Sequence, residues 1–166
     1  MISTNKIELD RIDRAIIREL QAEGRLSNQS LSERVGLSPS PCSRRLKLLE
    51  DAGVITGYTA LIDEAAIGFT LGVFVFVKLE KQVDDALNTF ESAVVEFPEV
   101  VDCWLMTGLR DYLLRIVTTG LPHYESFLTS ELTKIPGVAS IESSLSLRRV
   151  KSAPATPFES RHYRSS

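Results

Sequence analysis

Apolar positions in the first third of the chain recur with a helical period. Four of them, three or four residues apart, predict the apolar stripe of a first helix: Leu9, Ile12, Ile16 and Leu20. Asp10 and Asp13 stand where an N-cap residue and a first-turn acid belong, and Gly24 is a plausible stop. A second helix of about two turns fits between Ser27 and Gly36, with Ser27 as its cap.

A third helix is predicted from Ser38 to Ala52. The hydroxyl of Ser38 can cap it, and Pro39 and Pro41 suit its first turn, where an amide proton has no acceptor within the helix. Its inward stripe consists of Cys42, Leu46 and Leu49.

The chain changes character after this helix. Residues 54–62 are rich in β-branched side chains and broken by Gly57, which predicts a strand and a hinge. We therefore expect a first domain over 1–60, a linker over 61–70, a second domain over 71–150 and a mobile tail over 151–166, where proline and serine are frequent.

The second half repeats a βαβ pattern. Strand-like runs over 73–79 and 112–118 are each followed by a helical stripe, a proline and a further strand-like run, over 100–107 and 138–149. The stripes consist of Leu87, Phe90, Val94 and Phe97, and of Tyr124, Phe127, Leu128, Leu132 and Ile135. The resulting order βαββαβ predicts a ferredoxin-like domain, with helices on one face of an antiparallel sheet, and an α+β chain overall.

Both faces of the first predicted strand of this domain are apolar. Phe74 and Phe76 alternate with three valines, so a sheet covered by helices on one face needs a second cover. Association with another copy of the chain is the simplest way to bury the second apolar face. The sequence does not distinguish a dimer from an octamer. If the phenylalanines instead fill the core, the valines face outward and one apolar face still has to be buried.

Composition limits the protein class. The chain has 166 residues, 43% hydrophobic and 25% charged, as in soluble globular proteins, and its net charge of -3 argues against a nonspecific polybasic binder. Cys42 and Cys103 lie 61 residues apart and suggest no disulfide framework, which fits a reducing cytosol. The N-terminus shows no export signal and no apolar run reaches a membrane-spanning length, so we expect a cytoplasmic protein without a membrane partner.

Three short helices within 53 residues are typical of a helix-turn-helix module that binds double-stranded DNA. With the third as recognition helix, Ser40, Ser43 and Arg44 point to bases, where arginine bonds guanine bidentately. Lys47 or Arg45 suits a phosphate, and Ser38 stands at the helix start. The alternative is a packing module whose basic face is merely solvated. Residues 1–57 carry nine basic and eight acidic side chains, so this domain is nearly neutral as a whole. Three of the nine bases fall within 44–47, however, and this local cluster favours DNA binding.

The same residues resemble the Lrp/AsnC family of transcription regulators from about Leu9 to Val150. Its N-terminal features are the turn S-P-x-P-C, the helix end R-x-x-x-L-E-x-x-G-V-I and the linker G-Y-x-A, and the segment TGLRDYLLRIV matches its effector and oligomerisation domain. The resemblance implies a winged helix-turn-helix followed by a βαββαβ domain. A nucleoid-associated regulator that responds to an amino acid or a related metabolite is therefore expected.

The resemblance also implies an effector pocket at a subunit interface, formed in part by the loop after the second strand. Gly108 and Asp111 match the family directly, whereas Leu109 and Arg110 replace other residues there. Gly108 supplies turn freedom, Asp111 can accept hydrogen bonds from an ammonium and Arg110 can receive a carboxylate, with Trp104 included in the expected site. Without the resemblance, a surface turn with an ion pair explains the same residues.

Enzyme functions find little support in the sequence. His123 and His162 lack the spacing of a metal cluster or a catalytic triad, and no phosphate-binding loop or nucleophile elbow is present. A lowered pKa for the Cys42 thiol is conceivable at a helix start, but packing explains both cysteines better. We expect no enzyme, no cofactor and no metal. A metabolite-binding subunit without DNA contact and an enzyme that uses the ferredoxin-like pocket remain the alternatives.

Overall fold

A computed structural model of the chain describes residues 8–151. The chain divides into a first unit that ends at Leu61 and a second unit over Ile62–Val150. The tail predicted over 151–166 lies, apart from Lys151, outside the described residues, as does His162.

The first unit contains the three predicted helices, which are α1 over Arg11–Ala22, α2 over Asn28–Val35 and α3 over Pro39–Asp51. Their apolar stripes meet in one core, as the helical period predicts. The fully buried members of this core are Ile16, Ile17, Leu31, Cys42 and Leu49.

The helix ends follow the sequence with one exception. Asp10 caps α1 in a reciprocal capping box with Asp13, and the side chain of Ser27 accepts the N–H of Ser30 at the start of α2. Ser38 is the N-cap residue of α3 but makes no capping hydrogen bond with its side chain. The usual donor for such a bond, the N–H of the third residue of the helix, is missing because that residue is Pro41.

The strand predicted over 54–62 is wrong. These residues form no strand in the structure, and Val54, Tyr58, Leu61 and Ile62 are exposed. The β-branched composition favoured a strand, but no strand of the described chain pairs with this segment, and an unpaired segment forms no sheet.

The second unit has the predicted order. It comprises β1 (Leu71–Leu79), α4 (Asp84–Val95), β2 (Val100–Leu105), β3 (Tyr112–Thr118), α5 (Leu121–Ser130) and β4 (Val138–Leu145), with 3-10 turns at Ala65–Ile67 and Leu132–Lys134. The sheet order is β2-β3-β1-β4 and every pair is antiparallel, which confirms the ferredoxin-like prediction. Strand β4 ends at Leu145, short of the predicted Arg149, and its last pair with β1 is Val73 opposite Leu145.

The helices cover the valine face of β1. Val73, Val75 and Val77 are fully buried with Leu114 and Ile116 of β3, whereas the phenylalanines lie on the other face of the sheet. Two contacts join α4 to β3 at this core. Phe90 of α4 stacks on Tyr112 of β3, and the hydroxyl of Tyr112 donates to Glu91 of α4 at 2.8 Å.

The prediction that Cys103 lies in the core is wrong. Its side chain is exposed, because β2 is an edge strand with a single neighbour, although partial burial and the charge of Glu91 raise its pKa to about 11. Cys42 is buried as predicted, and burial raises the pKa of its thiol. Neither thiol is therefore activated as a nucleophile.

Candidate nucleic-acid interface and hairpin loop

Helix α3 has an apolar side and a polar side. Cys42 and Leu49 are buried against α1 and α2, and Leu46 packs beside them, as predicted. The opposite side is formed by exposed side chains: Ser40, Ser43, Arg44 and Lys47. Within residues 8–151, no ion pair or hydrogen bond engages the side chain of Arg44 or Lys47. Two cations on the exposed side of α3 are therefore available to an external anion.

The start of α3 is fixed by a residue that the sequence did not single out. The side-chain amide of Asn28, at the first position of α2, donates to the carbonyl of Pro39 at 2.9 Å. This bond holds the turn between α2 and α3, and the Oδ1 atom of the same side chain is buried without a partner in the described chain. Because Pro39 and Pro41 lack N–H groups, Ser40 carries the free backbone donor in the first turn.

Arg45 does not share this exposed side of the helix. Its Nη1 atom lies 2.7 Å from Oδ2 of Asp10 and 2.8 Å from Oδ1 of Asp13, at the start of α1. The structure therefore places Arg45 in ion pairs within the first unit, and it does not test the phosphate contact that the sequence allowed. Helical periodicity alone gave no sign of this pairing, because its partners lie more than 30 positions away along the chain.

The loop between β2 and β3 forms a hairpin with an apolar surface. Gly108 has a φ of 113°, which a side chain rarely tolerates, so the predicted need for glycine is confirmed. Leu109 is 85% exposed and Trp104 44% exposed. The guanidinium of Arg110 is not free: it donates to Glu142 of β4 at 2.6 Å.

Asp111 is an internal residue of this hairpin. Its side chain is buried, Oδ2 accepts the N–H of Leu79 at 2.7 Å, and Oδ1 accepts the side-chain amide of Gln82 and lies 3.8 Å from the ammonium of Lys78. Burial opposes ionisation, but these three groups outweigh it and hold the pKa of Asp111 below its ordinary value of 3.8. Each oxygen of the buried Asp111 carboxylate therefore has a partner within the described chain, and its contact with an effector ammonium stays a prediction.

The sheet face without helices is apolar around one charged group. Phe74 is 37% exposed there, next to half-buried Phe76 and Leu113 and across β3 from Trp104. Arg115 lies among them and donates to Asp102 at 2.8 Å and to Glu64 at 3.0 Å. Sequence analysis missed Arg115 and Glu64, whose pairing joins residues 51 positions apart.

The remaining candidate groups form no reactive cluster. His123 contacts Glu99 and Thr119 at 3.2 Å each, at the start of α5. Across residues 8–151, no three side chains of histidine, cysteine, aspartate or glutamate converge to hold a metal ion. The helices in this same stretch are all too short or too polar to cross a bilayer.

Comparison with known proteins agrees with both parts of this description. Residues 9–56 match the family model described as winged helix-turn-helix DNA-binding, and residues 72–156 match the Lrp/AsnC ligand binding domain. The Bkd operon transcriptional regulator of Pseudomonas aeruginosa is 47% identical, over 91% of this chain and 99% of that protein. The leucine-responsive regulatory protein of Rhizobium meliloti is 42% identical, over 89% and 95%.

Solved structures show the same likeness. A transcriptional regulator from Neisseria meningitidis, determined as a complex with L-methionine, superposes with a TM-score of 0.86 at 40% identity, covering 90% of this chain and 97% of that one. Together with the helix-turn-helix module and the ferredoxin-like sheet, these matches place the chain in the Lrp/AsnC family of DNA-binding transcriptional regulators.

Proposed function

We propose that α3 is the recognition helix and that Arg44 is its principal base-reading side chain. The observation that carries this proposal is the exposed polar side of α3, where Arg44 and Lys47 have no partner in the described chain. Arg44 then bonds a guanine in the major groove, Ser40 and Ser43 contact nearby bases or phosphates, and Ser38 and Lys47 hold the backbone. Arg45 is excluded from this set because Asp10 and Asp13 already bind it.

A selection from a random duplex library tests this proposal. The full chain should enrich one sequence, and its affinity should fall steeply with salt, because the contacts to phosphate release counterions. A protein that enriches no sequence and shows no salt-dependent affinity for DNA would instead be a metabolite-binding subunit.

The effector is an amino acid held between Arg110 and Glu142 at the β2–β3 hairpin. These two side chains lie 2.6 Å apart and are both partly exposed, so they can separate and bind a carboxylate and an ammonium, respectively. Trp104 and Leu109 supply an apolar surface for the side chain of the ligand, and Gly108 sets the turn. We expect apolar or aromatic amino acids to be preferred, because Leu109 makes this loop less polar.

Calorimetry with the twenty amino acids tests the effector proposal. Arg110→Gln and Glu142→Gln should each abolish the heat that the wild type gives with its preferred ligand. Glu131→Gln, at the far end of α5, is a matched control that should bind normally. Unchanged binding in both hairpin variants would remove the Arg110–Glu142 pair from the site, and no heat from any amino acid would leave the hairpin structural.

The apolar sheet face is proposed as the surface that joins two copies. Phe74, Phe76, Leu113 and Trp104 form it, and Arg115 can be buried within it because Asp102 and Glu64 neutralise its charge. Light scattering should report at least twice the chain mass of 18.4 kDa, and Phe74→Asp should reduce it to the monomer. A wild-type particle of 18.4 kDa at micromolar concentration would contradict association through this face.

A further inference from the structure

The N-terminus of α1 is connected to the recognition helix through a closed set of bonds. Within the capping box, Oδ1 of Asp10 accepts the N–H of Asp13 at 2.8 Å, and Oδ2 of Asp13 accepts the N–H of Asp10 at 3.1 Å. The second oxygen of each carboxylate accepts from Nη1 of Arg45, at 2.7 and 2.8 Å. Each of the four carboxylate oxygens thus has a partner, and the two protons of Nη1 serve one carboxylate each.

This arrangement makes Arg45 a poor ligand for DNA phosphate. Two carboxylates around one guanidinium leave the cluster with a net negative charge, so a phosphate has to displace an acid that is already in place. Lys47 lies two positions further along α3, is exposed and has no partner in the described chain. The two neighbouring cations therefore have different roles.

We propose that Arg45 is a positioning residue for DNA recognition, which ties α3 to the start of α1 and so fixes the direction in which Arg44 points. Arg44 is the residue immediately before Arg45 in the helix, so any rotation or tilt that Arg45 prevents would move Arg44 directly. A bidentate contact to guanine depends on the orientation of the guanidinium plane, and a small rotation removes it. This inference rests on the proposed base-reading role of Arg44.

The test compares Arg45→Ala with Lys47→Ala in the full chain. Affinity is measured against the duplex recovered by selection and against an unselected random duplex of equal length, over a range of salt concentrations and well below the unfolding temperature. Arg45→Ala should lower the ratio of selected to random affinity about tenfold and leave the salt slope with random DNA unchanged. Lys47→Ala should keep that ratio and reduce the slope by about 0.9, the value for one lost phosphate contact.

Rescue and thermal unfolding complete the test. Arg45→Lys keeps a cation that can reach both carboxylates, so it should regain part of the affinity ratio, and Arg45→Ala alone should lower the thermal midpoint. A fall in the salt slope of Arg45→Ala with an unchanged ratio would make Arg45 a phosphate contact and overturn the proposal. A lower midpoint with ratio and slope unchanged would make its role only structural. A wild type that binds the selected and random duplexes equally would instead overturn the base-reading function itself.

Discussion

The exposed side of α3 and the β2–β3 hairpin are both candidate binding surfaces, but their side chains are positioned in different ways. On α3, Arg44 and Lys47 point outward because Cys42, Leu46 and Leu49 point inward, and nothing distant along the chain engages them. In the hairpin, Arg110 is held by Glu142 and Asp111 by Leu79 and Gln82, each about thirty positions away.

The difference shows which kind of functional residue a periodic pattern can identify. Once the residues on the buried side of a helix are known, the helical period gives the residues on its exposed side. The exposed surface of α3 can therefore be predicted from local sequence. A loop residue acquires its role from whichever strand the sheet places beside it. Substitutions at Asp111 and at the cations of α3 should therefore differ in their effects, and the largest difference concerns stability.

Removing the side chain of Asp111 should have the largest effect on stability. Asp111→Ala leaves the N–H of Leu79 buried without an acceptor, which should lower the free energy of unfolding by about 3 kcal/mol. Glu142→Ala, which removes an exposed ion pair of the same hairpin, should cost less than about 1 kcal/mol. Urea unfolding of both variants checks this, and equal losses would contradict the internal role of Asp111.

The extent to which the structure could be predicted follows the same division. The three helices, the βαββαβ order and the polar side of α3 depend on spacing within single elements, and sequence analysis obtained them. The contacts of Arg45 and Asp111 could not be predicted, because ion pairs and buried hydrogen bonds between distant residues leave no local pattern. The strand predicted over 54–62 failed for a related reason, since a strand requires a partner that its own composition does not supply.

The α3 side of the comparison is tested by Arg44→Ala. Arg44 is exposed and its side chain makes no ion pair or hydrogen bond in the described chain, so stability should stay within about 0.5 kcal/mol of the wild type. Sequence preference should fall by about 1–3 kcal/mol, the contribution of one bidentate base contact. Competition between the selected duplex and a random duplex measures this preference. If it is unchanged, the orientation proposed for α3 in the groove is wrong.

Lys47→Ala should have a smaller effect, spread evenly over all sequences. Because an ammonium on a phosphate carries no base information, affinities for selected and random duplexes should fall by the same factor. Fluorescence anisotropy at several salt concentrations gives both affinities. A loss confined to the selected duplex would show that Lys47 reads a base, and the distinction between the two cations of α3 would then disappear.

The smallest effect concerns acid pH and returns to Asp111. Its pKa lies below the ordinary 3.8 in the folded chain, chiefly because hydrogen bonds from Leu79 and Gln82 outweigh the opposing effect of burial. A lowered folded pKa means that the ionised side chain contributes its full stability above about pH 4 to 5, and that this contribution is lost as the pH falls through the folded pKa. The thermal midpoint of Asp111→Asn should therefore decline less than that of the wild type between about pH 5 and pH 3. Glu142→Gln, which removes an exposed acid of β4, is the control variant. If Asp111→Asn follows the wild-type curve, the carboxylate of Asp111 is no better stabilised in the folded chain than in the unfolded one, and this hairpin acid would resemble the exposed residues of α3 after all.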